Sequence, residues 1–546
     1  MTTAGVRHDP DGVYEVLADL DRPCYIVSSR GRVGATHHAP ASGSGLTLLA
    51  AAAPQPPGRL GCAAFRHHHG VRYAYMAGAM AGGISSTNLV TALARAGYLA
   101  SFGAAGLPPA RIDQALSELQ RTLGATGVPY ACNLIHSPMA PAQERECVEA
   151  CLRHKVRCVE ASAFVQLTPE LVRYRLAGLR PGPGPEGAAP RIENRVIAKV
   201  SRTETAELFL RPAPRTLVAD LVARGLVTAE QGELARTVPM ADDITLEADS
   251  GGHTDRRPLT VLLPAVINLR DRLARESAHP MPVRIGAAGG IGTPEAVIAA
   301  LALGASYVVT GSINQAALEA GTSSGVKQLL AEAGLADCTM APAADLFEQG
   351  VTVQVLGRGS LFAGHASRLY RLYRDHSSLE ALPSEDRRML ESRILRRPLE
   401  SVWKETAEHL LHHHPDWLQR AEKDPKHRMA MVFRWYLAMA SRWAATGKHD
   451  RRSDWQIWCG PAMGAFNTWT NGSALADPAQ RHVTAIADHL LRGAAFHGRI
   501  TQLRLAGVRL PASCTHYRLP LASSAPTRLA DDAVEGRPRR AVEVPR

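Results

Sequence analysis

Eight strand-like runs divided by helical spacers mark this 546-residue chain as an α/β protein built on a (β/α)8 TIM barrel. The runs lie at 71–79, 98–102, 130–134, 157–160, 195–200, 243–247, 283–286 and 306–310, and stretches such as 87–96, 110–123, 141–153 and 294–303 carry helical spacing. Strands alternating with helices imply βαβ units and a parallel sheet. Eight such units in about 240 residues match the repeat count and length of a closed barrel. The last three runs also stop at glycines, namely Gly251-Gly252, Gly289-Gly290 and Gly311. Glycine lets backbone approach a ligand because no Cβ intervenes, and three such loops at one rim point to a single phosphorylated ligand.

Taken in order, residues 1–70 hold the strand-like Cys24-Tyr-Ile-Val-Ser28 and the breaker-rich Pro54-Gln-Pro-Pro-Gly58, which read as a small N-terminal subdomain and linker. Residues 71–344 form the barrel, interrupted between its fifth and sixth units by an insertion at 211–240 that reads as a helical flap. Beyond 345 the composition changes. All seven tryptophans lie after residue 400, and patterns such as that of Met429 to Met439 are helical, so 345–522 is expected to be a mostly helical, Trp-rich domain. The tail 523–546 is rich in Arg, Pro and Ala without periodicity and is expected to be disordered.

Composition narrows the functional classes. The first residues are polar and lack the apolar core of a signal peptide, and the longest apolar stretch, 296–310, is too short to span a bilayer. A soluble cytoplasmic protein with no membrane partner is the expectation. Nine cysteines, an odd number with no CxxC pair, argue for reduced thiols. The net charge of +11 comes without the basic and aromatic repeats of a nucleic-acid surface; an acidic protein or a phosphorylated ligand suits it equally well, and charge alone does not choose.

Ligands of a parallel barrel bind at the carboxyl ends of its strands. Gly289, Gly290, Gly311 and Ser312 end the seventh and eighth runs, where backbone N–H groups and the following helix can hold a phosphate. The sequence Gly290-x-Gly292-x-x-Glu295 lacks the third glycine of a dinucleotide fingerprint. Ala77 and Gly78 leave room for a flat ring with Met80 at its edge, or else they simply fill a tight barrel end. Asn133 ends the third run and offers both a donor and an acceptor. Lys199 sits inside an apolar run, which demands a negative partner: a bound anionic group, or an ion pair with Glu160 or Glu247. His253, directly behind Gly251 and Gly252, titrates near neutrality and is the best catalytic candidate. Cys147, Cys151, His154 and Cys158 have helical ligand spacing, yet a packed amphipathic helix accounts for them better than a metal, and no metal site is expected. The histidine runs 67–69 and 412–414 read as surface features.

The runs Met76-Ala-Gly-Ala-Met-Ala-Gly-Gly-Ile84, Asp249-Ser-Gly-Gly-His-Thr-Asp255 and Ala287-Ala-Gly-Gly-Ile-Gly292 resemble those of the PfaD-type enoyl reductases, trans-acting partners of polyketide and polyunsaturated fatty acid synthases. So do Val355-Leu-Gly-Arg-Gly-Ser360, Asp424-Pro-Lys-His-Arg-Met429 and the segment Trp455 to Phe466, so the resemblance spans about residues 20 to 510. The barrel alone is equally similar to nitronate monooxygenases and to the flavin-containing enoyl reductases of bacterial fatty acid synthesis. The resemblance implies FMN in the barrel, NADPH or NADH as reductant, and an enoyl thioester on an acyl carrier protein as substrate. Ala77, Gly78 and Met80 would flank the flavin ring, while Asn133 and Lys199 would meet its polar edge. Gly251 and Gly252 would pass close to it, and Gly289, Gly290, Gly311 and Ser312 would cradle its phosphate. Lys199 would stabilise the reduced flavin, and His253 would protonate the substrate α-carbon or hydrogen-bond its thioester oxygen. The competing readings are a nitronate monooxygenase and a flavin-bearing scaffold subunit. An exposed Trp-rich surface is compatible with a homodimer.

Overall fold

The computed structural model describes residues 5–138, 140–183, 189–276 and 283–521; the tail expected at 523–546 lies outside them. An antiparallel sheet comes first, with β1 (Cys24–Ser29) paired to β2 (Arg32–Thr36) on one side and β3 (Thr47–Ala52) on the other. It is tied to the far end of the chain by Arg499 of helix Val483–Leu505. That fully buried guanidinium donates to the carbonyls of Leu17, Asp19, Leu20, Arg22 and Ala53, so backbone oxygens take the place of a carboxylate.

Every one of the eight expected runs supplies one strand of a closed parallel barrel. In chain order they are β4 (Tyr75–Ala77), β5 (Leu99–Phe102), β6 (Ala131–Ile135), β7 (Cys158–Ser162), β8 (Arg195–Val200), β9 (Asp243–Glu247), β10 (Arg284–Ala288) and β11 (Val308–Thr310). Side chains alternate across a strand, so Met76, Leu99, Ala131, Cys158, Ile197, Ala288 and Val309 fill the interior while their neighbours pack against the helices. The insertion at 211–240 carries helices Arg215–Ala223 and Ala229–Leu234.

The amino-terminal end of the barrel is plugged by helix Ala63–His69. Phe65 stacks on Tyr307 with ring centroids 4.2 Å apart. His69, expected at the surface, is buried, with Nε2 2.7 Å from Oδ2 of Asp243; His68 lies 3.3 Å from Asp242. Only His67 of the three is exposed. Divergence of neighbouring side chains does not keep them at the surface here, because adjacent residues on a helix laid across a barrel mouth can both reach the strand starts beneath. Arg284 completes the cluster with a two-pronged contact to Asp243 at 2.6 and 2.8 Å.

Beyond the barrel, β12 (Cys338–Pro342) and β13 (Thr352–Leu356) form an antiparallel hairpin that straddles position 345. Long helices follow, among them Phe362–Asp375, Leu399–His413, Pro425–Thr446 and Val483–Leu505. Trp443 and Trp455 are buried in this layer. All nine cysteines are free, and no helix among the described residues is long and apolar enough to cross a membrane.

Arg284→Met should be the costly change at the barrel base. Asp243 would keep only His69, which burial drives toward its neutral form. Stranding a buried charge costs about 3–5 kcal/mol, to be read as a lowered urea midpoint. The double replacement Asp243→Leu with Arg284→Met should recover much of that loss.

Candidate functional site

At the opposite end, the carboxyl rim, alternation turns a polar set inward. Asn133, Glu160, Ser162, Lys199 and Glu247 all share the inward parity of Ala131, Cys158, Ile197 and Thr245. Asn133 Nδ2 donates to the Glu160 carbonyl and to Ser162 Oγ, both at 3.0 Å. Asn133 Oδ1 makes no hydrogen bond among the described residues. Glu160 is buried, and its Oε2 accepts from the Ala79 N–H at 2.8 Å, which fixes the loop after β4. Lys199 Nζ lies 3.5 Å from Glu247 Oε1, so the ion-pair partner left open by the sequence is Glu247. Burial works against the lysine charge, but Glu247 and then Glu160 outweigh it, and the Lys199 pKa is raised. The Lys199 side chain is one-fifth exposed at this rim.

Of the small residues after β4, Gly78 faces inward, where a Cβ would come within 2.9 Å of Val309. Ala77 does not join it: its parity is opposite to that of Met76, so its methyl packs outward and only its backbone borders the interior. Met80 is partly exposed, and Ser85 cinches its loop by accepting from the Met80 N–H and donating to the Gly78 carbonyl.

The glycine loops divide into sealed and open positions. A Cβ on Gly251 would lie 2.9 Å from the backbone of Cys459, and one on Gly289 would strike Ala248 at 2.6 Å. At both positions the missing Cβ makes room for neighbouring protein backbone. A Cβ on Gly252, Gly290 or Gly311 would meet nothing within 4 Å. These three positions face open space. Ser312 Oγ accepts from the Gly460 N–H at 3.1 Å and keeps its own proton to donate. An open groove of about 500 Å³ between Trp403, Leu411, Leu418 and Arg428 belongs to the helical layer, and none of these loops lines it.

His253 is held from outside the barrel. Gly252 and His253 form a short strand that pairs antiparallel with Gln354 and Val353 of β13. Gln354 Nε2 donates to Asp249 Oδ1 and to the Ser250 carbonyl at 3.0 and 2.8 Å. Thr254 braces the same loop, donating to the Ala248 carbonyl and accepting from the Arg256 N–H at 3.0 Å. The imidazole is half exposed, and its Nε2 lies 3.2 Å from Asp345 Oδ1. Burial lowers the His253 pKa, but the Asp345 hydrogen bond and charge prevail and the net shift is upward. Asp345 carries no local signal in the sequence: it stands 92 residues away, at the expected edge of another domain. The four-residue set Cys147, Cys151, His154 and Cys158 comes apart. Cys147 and Cys151 pack with Cys132, their sulfurs within 4.8 Å; His154 turns to Asp113, and Cys158 fills the barrel interior.

The chain is similar to known proteins. Residues 2–54 match the family model of the fatty acid synthase subunit PfaD N-terminal domain. Residues 376–455 match the inserted helical domain of [acyl-carrier-protein] S-malonyltransferase. The chain is 45% identical over 495 residues to a polyunsaturated fatty acid synthase subunit from Thraustochytrium sp., covering 89% of this chain and 32% of that one. It is 43% identical to polyketide biosynthesis protein PksE of Bacillus subtilis, covering 79% of this chain and 55% of PksE. The chain thus spans about a third to a half of these curated relatives. The crystal structure of the enoyl reductase domain of MlnA, from the macrolactin biosynthesis cluster of Bacillus amyloliquefaciens, superposes with a TM-score of 0.77 at 37% identity, over 82% of this chain and 99% of that domain. A solved domain matched along nearly its whole length at that identity, together with the PfaD match at the amino end, places this chain in the family of PfaD-type enoyl reductases.

Proposed function

We propose that the chain reduces α,β-unsaturated acyl thioesters borne by acyl carrier protein domains of a polyketide or polyunsaturated fatty acid synthase, with FMN held in the barrel and NADPH or NADH as reductant. One observation carries the reading: the open positions Gly252, Gly290 and Gly311 surround the same rim that presents Lys199 and His253. The residues fit FMN. Gly290, Gly311 and Ser312 offer N–H and O–H donors to a phosphate without side-chain obstruction. Asn133 Oδ1 is free to accept from the N–H edge of a ring, and Lys199 supplies positive charge beside it. When bound, FMN supplies the hydride that goes to the substrate β-carbon.

The protein supplies charge, geometry and a proton. Lys199, kept protonated by Glu247 and Glu160, stabilises negative charge at the ring edge by a fixed electrostatic contact. His253 holds the proton that balances the added hydride. Asp345 occupies Nε2, so Nδ1 is the ring nitrogen left to serve the α-carbon or the thioester oxygen. The Asp345 hydrogen bond and charge shift the His253 pKa upward, which favours the doubly protonated ring in which Nδ1 carries that proton.

Anaerobic reduction with NADPH followed by crotonyl-carrier protein tests the whole reading. Bleaching and then return of the oxidised flavin band, with butyryl product, is the expected course. A reduced flavin that ignores the enoyl thioester but reacts with oxygen and a nitronate would reverse it, and absence of flavin would favour a scaffold.

Gly311→Ala should leave the unfolding midpoint of the flavin-free protein unchanged and weaken FMN binding. Gly251→Ala should instead destabilise the fold, because Cys459 has no room to retreat. His253→Ala should retain flavin yet slow its reoxidation by the enoyl thioester by about 10²–10⁴-fold. In Asp345→Asn the main factor raising the His253 pKa is removed, leaving only the weaker pull of Glu247, so the rate should fall off at lower pH than in the parent. A stopped-flow pH profile of reoxidation would read that shift, and an unmoved alkaline limb would remove Asp345 from the mechanism.

A further inference from the structure

The loop that carries His253 continues into Asp255, Arg256, Arg257 and Pro258, all exposed at the same rim. Asp255 is fully engaged: it accepts from Ser201 Oγ at 2.7 Å and from Arg202 Nε and Nη2 at 2.9 and 3.0 Å. This pair crosses from the β8 loop to the β9 loop and neutralises Arg202. Arg256 and Arg257 form no ion pair among the described residues. Arg256 adopts φ +50, an uncommon conformation for a side-chain-bearing residue, and Thr254 Oγ1 holds the turn from inside. Two guanidinium groups without an ion pair among the described residues therefore stand three and four residues beyond the imidazole. The same rim also carries Val261, in the first turn of the next helix and 69% exposed, and Val165, in the loop after β7 and 75% exposed.

Resting on the enoyl reductase reading, we propose that Arg256 and Arg257 bind the phosphodiester of the pantetheine arm through which a carrier domain presents its acyl group. A guanidinium matches a phosphate with paired, charge-assisted N–H donors. Val165 and Val261 offer apolar surface to the uncharged part of the arm. The acyl end then lies toward His253 and the phosphate end toward solvent, where the carrier domain sits. A partner that brings a phosphate and an acidic surface complements the +11 net charge of the chain.

Calorimetric titration of the flavin-loaded protein with 4′-phosphopantetheine and with pantetheine separates this idea from the reaction itself. The parent should bind the phosphorylated arm about tenfold or more tightly, as expected for a charge-assisted contact, and Arg256→Ala with Arg257→Ala should abolish the difference. Equal affinities in the parent, or a preference that survives in the double variant, would overturn the proposal. In turnover, the double variant should raise KM for crotonyl-carrier protein and leave crotonyl-pantetheine unaffected; an equal loss with both would also overturn it. If the parent bound the phosphorylated arm preferentially but reduced neither thioester, the enoyl reductase reading would fail while the phosphate site stood.

Discussion

Val353 and Gln354 of β13 pair through their backbones with His253 and Gly252, and the Gln354 side chain closes the same contact by donating to Asp249 and Ser250. The loop after β9 would otherwise be a long glycine-bearing segment with a large ordering cost. Edge pairing to a hairpin from another layer removes that freedom and aims the imidazole. It also brings Asp345, in the turn between β12 and β13, within reach of Nε2. The tight approach of Gly251 to Cys459 follows from the same docking, since Cys459 donates from its N–H to the Gln354 carbonyl.

Strand β9 shows how one element serves two ends of a barrel. Its first residue, Asp243, is sealed from water and compensated by Arg284 and His69. Its last, Glu247, is partly exposed and shared between Lys199 and Ser250. Burial dominates at the base and lowers the pKa of His69, while the carboxylate dominates at the rim and raises that of His253. Two histidines flanking one strand thus take opposite protonation preferences, the base serving stability and the rim chemistry, as barrel architecture divides them.

Much of this was legible from one dimension. Periodicity located all eight barrel strands because each lies between amphipathic helices and carries a β-branched or apolar run. The bounds of β8 and β9 agree residue for residue, while β4 shrinks to Tyr75–Ala77. The glycine loops were found because backbone freedom is written in residue type. What glycine type does not record is which neighbour needs the space: Gly251 and Gly289 give room to protein, Gly252 and Gly290 to solvent. Parity along a strand is legible in the sequence and turns Lys199 and Asn133 inward and Ala77 outward. Asp345, Gln354 and the His69–Asp243 pair left no trace in the sequence, because their partners are 92, 104 and 174 residues away.

The C-terminal layer reaches into each of the three glycine loops: Cys459 meets Gly251, Ala462 meets Gly292, and the Gly460 N–H bonds Ser312. A modular boundary in this chain therefore cannot follow the visible join between barrel and helices. A chimera cut after β11 would exchange the strands and leave behind the hairpin and the Trp455–Ala462 segment that shape their loops. The unit to move in engineering is the barrel together with that distant clasp.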